Sequence, residues 1–134
     1  MKLKDNVQPV QHPPRRIPEK RKEAYRTELE RLVDEGVIVP VNSHTKWINN
    51  IVPVDKSDGS LRLCLDPSDL NKCLQRNQFH MKTLDEISAE LHGARLFTLM
   101  DAKSGCWQVK LSEESTYLTT FNTPWGKYRF LRLP

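Results

Sequence analysis

The stretch Ile51-Val52-Pro53-Val54-Asp55-Lys56-Ser57-Asp58-Gly59-Ser60-Leu61-Arg62-Leu63-Cys64-Leu65-Asp66 decides the fold. Two β-rich runs flank a polar tip, and Asp58-Gly59 is a turn signal because glycine accepts the positive φ that tight turns demand. The pattern predicts an antiparallel hairpin closed by Asp66-Pro67. Side chains alternate across a strand, so Arg62 and Cys64 share one face while Leu61, Leu63 and Leu65 share the other.

Upstream, a helix is predicted from Pro18, since proline needs no amide partner at a first helical position. Tyr25, Leu29, Leu32 and Val33 recur at helical spacing and form one apolar stripe. Glu28 and Arg31 can pair on its outer face, and Gly36 supplies the stop before the extended Val37-Ile38-Val39-Pro40. Residues 1–17, with Pro9, Pro13 and Pro14 among basic side chains, read as an extended arm that solvates its charge, ahead of one domain over 18–134.

Downstream, Thr83-Leu84-Asp85-Glu86 has the form of a capping box. It predicts a second helix that buries Leu84, Ile87 and Leu91 and ends at Gly93. Arg95–Met100 is predicted as a mostly apolar strand with Asp101 at its carboxyl end, followed by a turn through Ala102-Lys103-Ser104-Gly105. Further strands are expected at Trp107–Leu111, Tyr117–Phe121 and Lys127–Leu133, the last two joined around Pro124-Trp125-Gly126. Unpaired edges are expected to leave Tyr128, Phe130, Leu131 and Leu133 exposed. Helices and antiparallel strands in this order give an α+β fold.

Composition narrows the class. The 134 residues are 37% hydrophobic and 28% charged, with a formal net charge of +4. No apolar run reaches the roughly 18–20 residues that cross a bilayer, and the basic start lacks a signal peptide's apolar stretch, so no membrane partner and an intracellular site are expected. Cys64, Cys73 and Cys106 form no Cys-x-x-Cys pair, and free thiols are the default. His12, His44, His80 and His92 lie too far apart for local metal-ligand spacing.

Three places could carry chemistry. Asp101, leaving an apolar strand, could meet a hard cation such as Mg²⁺, although its position alone better suits a cap or turn former. Lys56 and Arg62 flank the hairpin tip and could close on a polyphosphate, arginine through its planar fork and lysine as a compact charge. An ordinary solvated tip explains the same residues. Ser104-Gly105 is a turn whose amides could approach phosphate.

Taken together, these pieces resemble the reverse transcriptases of gypsy-type LTR retrotransposons. The resemblance rests on Pro14-Arg15-Arg16-Ile17-Pro18, Gly36-Val37-Ile38, Trp47, Lys56 to Asp66, Leu70-Asn71-Lys72, Leu84-Asp85-Glu86-Ile87, Phe97 to Gly105, and Thr119 to Pro124, all in family order. It implies the fingers and first part of the palm of a right-hand polymerase, and thus an RNA-directed DNA polymerase of a Pol polyprotein. The expected partners are dNTP, an RNA or DNA template with primer, and the remainder of the polyprotein.

Asp101 matches the family's first catalytic aspartate, which with the Ala102 carbonyl holds Mg²⁺. Lys56, Arg62, Ser104 and Gly105 match residues around the nucleotide triphosphate. Cys106 stands where an aromatic residue usually screens the sugar, and Asp66 and Asn71 lie in the template-side stretch. No Asp-Asp pair occurs in the chain, so by this resemblance it is an incomplete, inactive portion. The alternative is a non-enzymatic retroelement remnant that binds nucleic acid weakly and without sequence preference.

Overall fold

The computed structural model describes residues 1–57, 59–76 and 78–134. Helix α1 spans Glu19–Asp34, with Pro18 as its N-cap rather than its first helical residue. Tyr25, Leu29 and Leu32 are its buried positions, following the predicted stripe. Its end is a Schellman cap: Gly36, at φ +63°, donates to the Val33 carbonyl and Val37 donates to that of Leu32, both at 2.9 Å. Glycine is needed there because other residues rarely adopt that φ.

The chain then enters strand β1 (Ile38–Val41) and the decisive hairpin, β2 (Asn50–Asp55) and β3 (Leu61–Asp66). The hairpin register runs from Asn50 opposite Asp66 to Asp55 opposite Leu61. Lys56 N–H donates to Ser60 O at 2.8 Å, and Gly59 to Lys56 O at 3.0 Å with φ +79°. Asp58, the other half of the turn signal, lies outside the described residues. Leu61 and Leu63 are buried and Arg62 is exposed, as alternation requires.

The expected strands near the end are partly redrawn. Over Tyr117–Phe121 the chain forms helix α4 (Glu113–Leu118) before the short strand β4 (Phe121–Thr123). Threonine and tyrosine favour strands, but here hydroxyls bond the backbone one turn back: Thr119 Oγ1 to Thr116 O at 2.7 Å and Thr120 Oγ1 to Tyr117 O at 2.8 Å. Glu113 and Glu114 in the first turn add a favourable dipole interaction. A tight Pro124-Trp125 connection leads to strand β5 (Gly126–Phe130), giving an antiparallel sheet ordered β1-β5-β4.

Trp107–Leu111 is not a strand. Gly105–Gln108 is a 3₁₀ turn, and the residues after it meet the chain end through Leu111 N–H to Leu131 O and Leu133 N–H to Val109 O, both 2.9 Å. Of the four residues expected to be exposed, Leu133 is, whereas Phe130 is fully buried and Tyr128 and Leu131 are half-buried, because β1 pairs with β5 along that edge. Tyr25, Leu29, Leu32, Ile38, Phe121 and Phe130 join the hairpin leucines in one core. Burying such side chains contributes about 1.5–3 kcal/mol each.

Two further features depart from expectation. Helix α2 (Ser68–Cys73) follows β3 directly and buries Leu70. The arm over 1–17 is tied down rather than freely solvated: His12 N–H donates to Ile48 O at 2.9 Å, Ile48 N–H to Val10 O at 3.0 Å, and Lys4 N–H to Cys73 O at 2.8 Å.

The largest correction concerns residues 79–104. Helix α3 (Leu84–Glu90) forms with the predicted Thr83–Glu86 capping box, but Leu84, Ile87 and Leu91 are exposed and it buries nothing. No strand forms over 95–100, where Leu96 is 93% and Leu99 97% exposed. An isolated apolar run cannot become a strand without a neighbour to take its amides and carbonyls. Local capping fixes α3, and no described segment covers the apolar run after it. No helix among the described residues is long and apolar enough to cross a membrane.

Candidate functional site: a cationic cleft beside the hairpin

A cleft of about 490 Å³ opens between the hairpin, α1 and the 3₁₀ turn. Its lining includes Lys56, Arg62 and Cys64 from the hairpin, Glu28 and Arg31 from α1, and Ser104 to Trp107 from the turn. Sequence positions far apart thus reach one concavity. Lys56 leaves the end of β2, and Arg62 projects from the outer face of β3 because its neighbours Leu61 and Leu63 are drawn into the core.

Helix α1 fixes the opposite wall. Arg31 donates to Glu28 through Nε at 2.7 Å and Nη2 at 2.8 Å, and to Glu35 through Nη1 at 2.5 Å. The Glu28 carboxylate above all, with that of Glu35, raises the Arg31 pKa further above its ordinary value and outweighs the desolvation that opposes it. Arg31 is therefore a fixed cation with its donors engaged, while Lys56 and Arg62 offer exposed ones.

The third wall is built by backbone geometry. Ser104 takes the left-handed conformation, φ 51° and ψ 47°, and its carbonyl accepts from Trp107 N–H at 2.9 Å. A non-glycine residue in that region costs about 1 kcal/mol or more. Trp107 and Arg132 secure the turn, the latter donating through Nη1 to the Trp107 carbonyl at 3.0 Å. At Gly105 an added Cβ would meet only the Ala102 Cβ, at 3.5 Å, so space alone does not demand glycine there.

The structure brings together Lys56, Arg62, Ser104, Gly105 and Cys106, and leaves the other candidates elsewhere. Asp101 and Ala102 are exposed on irregular backbone outside the cleft lining. Asp101 does not sit at the end of a buried strand, because that strand does not form. Asp66 accepts from the Ser68 hydroxyl at 2.5 Å and lies 3.7 Å from Arg15; the Ser68 bond is the main reason its pKa falls below the usual carboxylate value. Asn71 is exposed on α2, its amide donating to Pro67 O at 2.7 Å.

Sequence reasoning passed over Glu28, Arg31 and Trp107 as cleft residues. Glu28 and Arg31 read as a surface pair, and Trp107 as a strand residue. Nothing in their local spacing connects them to the hairpin, since the connection is tertiary.

A divalent cation does not fit the described residues alone. No group of three His, Cys, Asp or Glu side chains among them could hold one, and the Asp101 carboxylate is exposed. Hard cations need several oxygen ligands.

No family model matches the chain. It is 36% identical, over 98% of its length, to an uncharacterized protein of Caenorhabditis elegans, of which it covers 10%. It is 32% identical over its whole length to the Retrovirus-related Pol polyprotein from transposon 412 of Drosophila melanogaster, covering 11% of it. With the Enzymatic polyprotein of cauliflower mosaic virus it shares 29% identity over 20% of that protein. The chain thus spans between a tenth and a fifth of these relatives.

Its fold is that of solved reverse transcriptases. The native prototype foamy virus protease-reverse transcriptase superposes with a TM-score of 0.74 at 24% identity, over 96% of this chain and 17% of that one. The foamy viral protease-reverse transcriptase in complex with dsDNA gives 0.73 at 20% identity, over 98% and 27%.

Proposed function

We propose that this chain, a reverse-transcriptase-like segment related to retroelement Pol polyproteins, is the nucleotide-gripping portion of a gypsy-type RNA-directed DNA polymerase. In this reading the hairpin is the fingers tip and the segment around Asp101 the first part of the palm. The observation that carries it is the convergence of Lys56, Arg62, Ser104, Gly105 and Cys106 on one cleft.

The chemistry suits a nucleoside triphosphate. Arg62 offers a bidentate fork and Lys56 a point charge, and both strengthen as the cleft sheds water. The Ser104–Cys106 backbone completes the anion's surroundings, and the small Cys106 side chain leaves the sugar little sterically restricted. Asp66 and Asn71 belong beside a template strand. Template, primer and the remainder of a polyprotein are the partners in this reading. In this reading Asp101 and Ala102 would offer a carboxylate and a backbone carbonyl to Mg²⁺, for which the described residues do not complete a site, so nucleotide binding is the activity expected of this cleft.

The test is calorimetric titration of the full chain with dTTP. Charge-assisted hydrogen bonds contribute about 1.5–3 kcal/mol each, so Lys56→Ala and Arg62→Ala should each weaken binding about tenfold or more. Equal affinity in the wild type and the double variant would remove the cleft from nucleotide recognition.

A further inference from the structure

The cleft holds thiol chemistry that nucleotide gripping does not use. Cys106 is exposed on the 3₁₀ turn. Cys64 is half-buried, and lies two residues from Arg62 on the same face of β3. Both line the cleft with Lys56 and Arg62, whereas Cys73, also free, ends α2 outside it. Backbone anchors bound both thiols: Cys106 precedes the pinned Trp107, and Cys64 sits between Leu63 and Leu65, which pack into the core.

The charge of the cleft selects a reagent. Glu28 is engaged by Arg31, while Lys56 and Arg62 are exposed. A thiol beside such cations meets negatively charged partners at raised local concentration. Thiol–disulfide exchange proceeds by attack of a thiolate on a disulfide sulfur, and access to the thiol sets its rate as well.

We propose that the cleft is a thiol-modification site in which Cys106 undergoes exchange with small anionic disulfides, Cys64 being a slower second thiol under the same cations. The Cys106 thiolate attacks one sulfur of the disulfide. The reagent's S–S bond breaks, a protein–reagent S–S bond forms, and the other half leaves as a thiolate, the cysteine proton passing to water. The disulfide is the oxidant, and no other is required. The adduct's carboxylates then occupy the place that Lys56 and Arg62 offer a polyphosphate. This exclusion rests on the nucleotide reading, while the thiol site itself does not.

The experiment treats the full chain with oxidised glutathione, an anionic disulfide, and in parallel with cystamine, a cationic one. Adducts at each cysteine are timed by peptide mass spectrometry. At low salt, Cys106 should react roughly tenfold faster with the anionic reagent than with the cationic one, after normalising to Cys73. The preference should fade in high salt and in Lys56→Ala/Arg62→Ala. Equal normalised rates for the two reagents, or a preference that survives the double variant, would overturn the proposal. Saturating dTTP should also slow the Cys106 reaction. An anionic preference without dTTP protection would leave the thiol site standing and sink the nucleotide reading.

Discussion

The Arg31 guanidinium lies 5.7 Å from the centroid of the Trp107 ring, so helix α1 holds the turn that carries Ser104, Gly105 and Cys106. This contact joins the cleft's rigid wall to its backbone wall. Exposed cation–π contacts contribute about 0.5–1 kcal/mol. Trp107→Ala removes this contact together with the ring's packing against the core, and should lower dTTP affinity several-fold and the melting temperature with it. Calorimetry beside a thermal melt checks both, and unchanged affinity would free the turn from this dependence.

Tyr25 is buried against the core, and its hydroxyl has no hydrogen-bond partner among the described residues. Burial also pushes its pKa well above the ordinary tyrosine value. An unsatisfied buried polar group costs about 1–3 kcal/mol. Tyr25→Phe should keep the ring contact with Trp125, whose centroid is 5.8 Å away, and leave stability unchanged or up to about 1 kcal/mol higher. Urea unfolding measures this, and a loss above that size would reveal a partner for the hydroxyl.

Asn49 has the opposite character. Its buried side chain donates to Leu118 O at 2.8 Å and Thr120 O at 3.0 Å, and its own amide donates to Thr120 O at 2.7 Å. It ties the approach to the hairpin to the end of α4. Asn49→Ala removes both side-chain bonds and should cost about 1–3 kcal/mol, read from the same unfolding curve.

Asp66 governs part of the acid limb of stability. Its folded pKa is depressed, chiefly by the Ser68 hydroxyl and then by the Ser68 amide. The stabilisation is thus present above the unfolded value of about 3.9 and is lost as pH falls through the lower folded value. Ser68→Ala should flatten the stability–pH curve below about pH 4 and lower stability modestly at neutral pH. Identical slopes for the two proteins would remove Asp66 from the acid response.

Residues 79–104 expose Phe79, Met81, Leu84, Leu96, Phe97, Leu99 and Met100. Patches of that kind exceed what isolated proteins usually present to water. The chain should bind a hydrophobic dye and associate as concentration rises. Phe97→Ser with Leu99→Ser should reduce both without shifting the melting temperature by more than a few degrees, since neither side chain touches the core. Sedimentation and dye fluorescence provide the check.

Legibility followed locality. The α1 stripe, the Gly36 stop, the hairpin and the Thr83–Glu86 box are each encoded within a few residues, and each appears in the structure. The run at 95–100 has strand composition, yet a strand is a pairing property and no partner is found among the described residues. Thr119 and Thr120 likewise have strand propensity, but their hydroxyls bond to carbonyls one turn back instead. For the cleft, Lys56, Arg62 and Ser104–Cys106 were legible, whereas the Arg31–Trp107 wall arises only from packing. Asp101 belongs to no group of three His, Cys, Asp or Glu among the described residues that would support its metal reading.

The strapped N-terminal arm has a consequence for the order of events in synthesis. Asn122 Nδ2 donates to the His12 carbonyl at 3.2 Å, a contact spanning 110 residues, while Val10 and His12 dock on Ile48. A ribosome releases the arm well before Asn122. The arm can lie on Ile48 early, but its far side stays open until β4 emerges, so this clasp closes with the arm waiting for a strand made more than a hundred residues later.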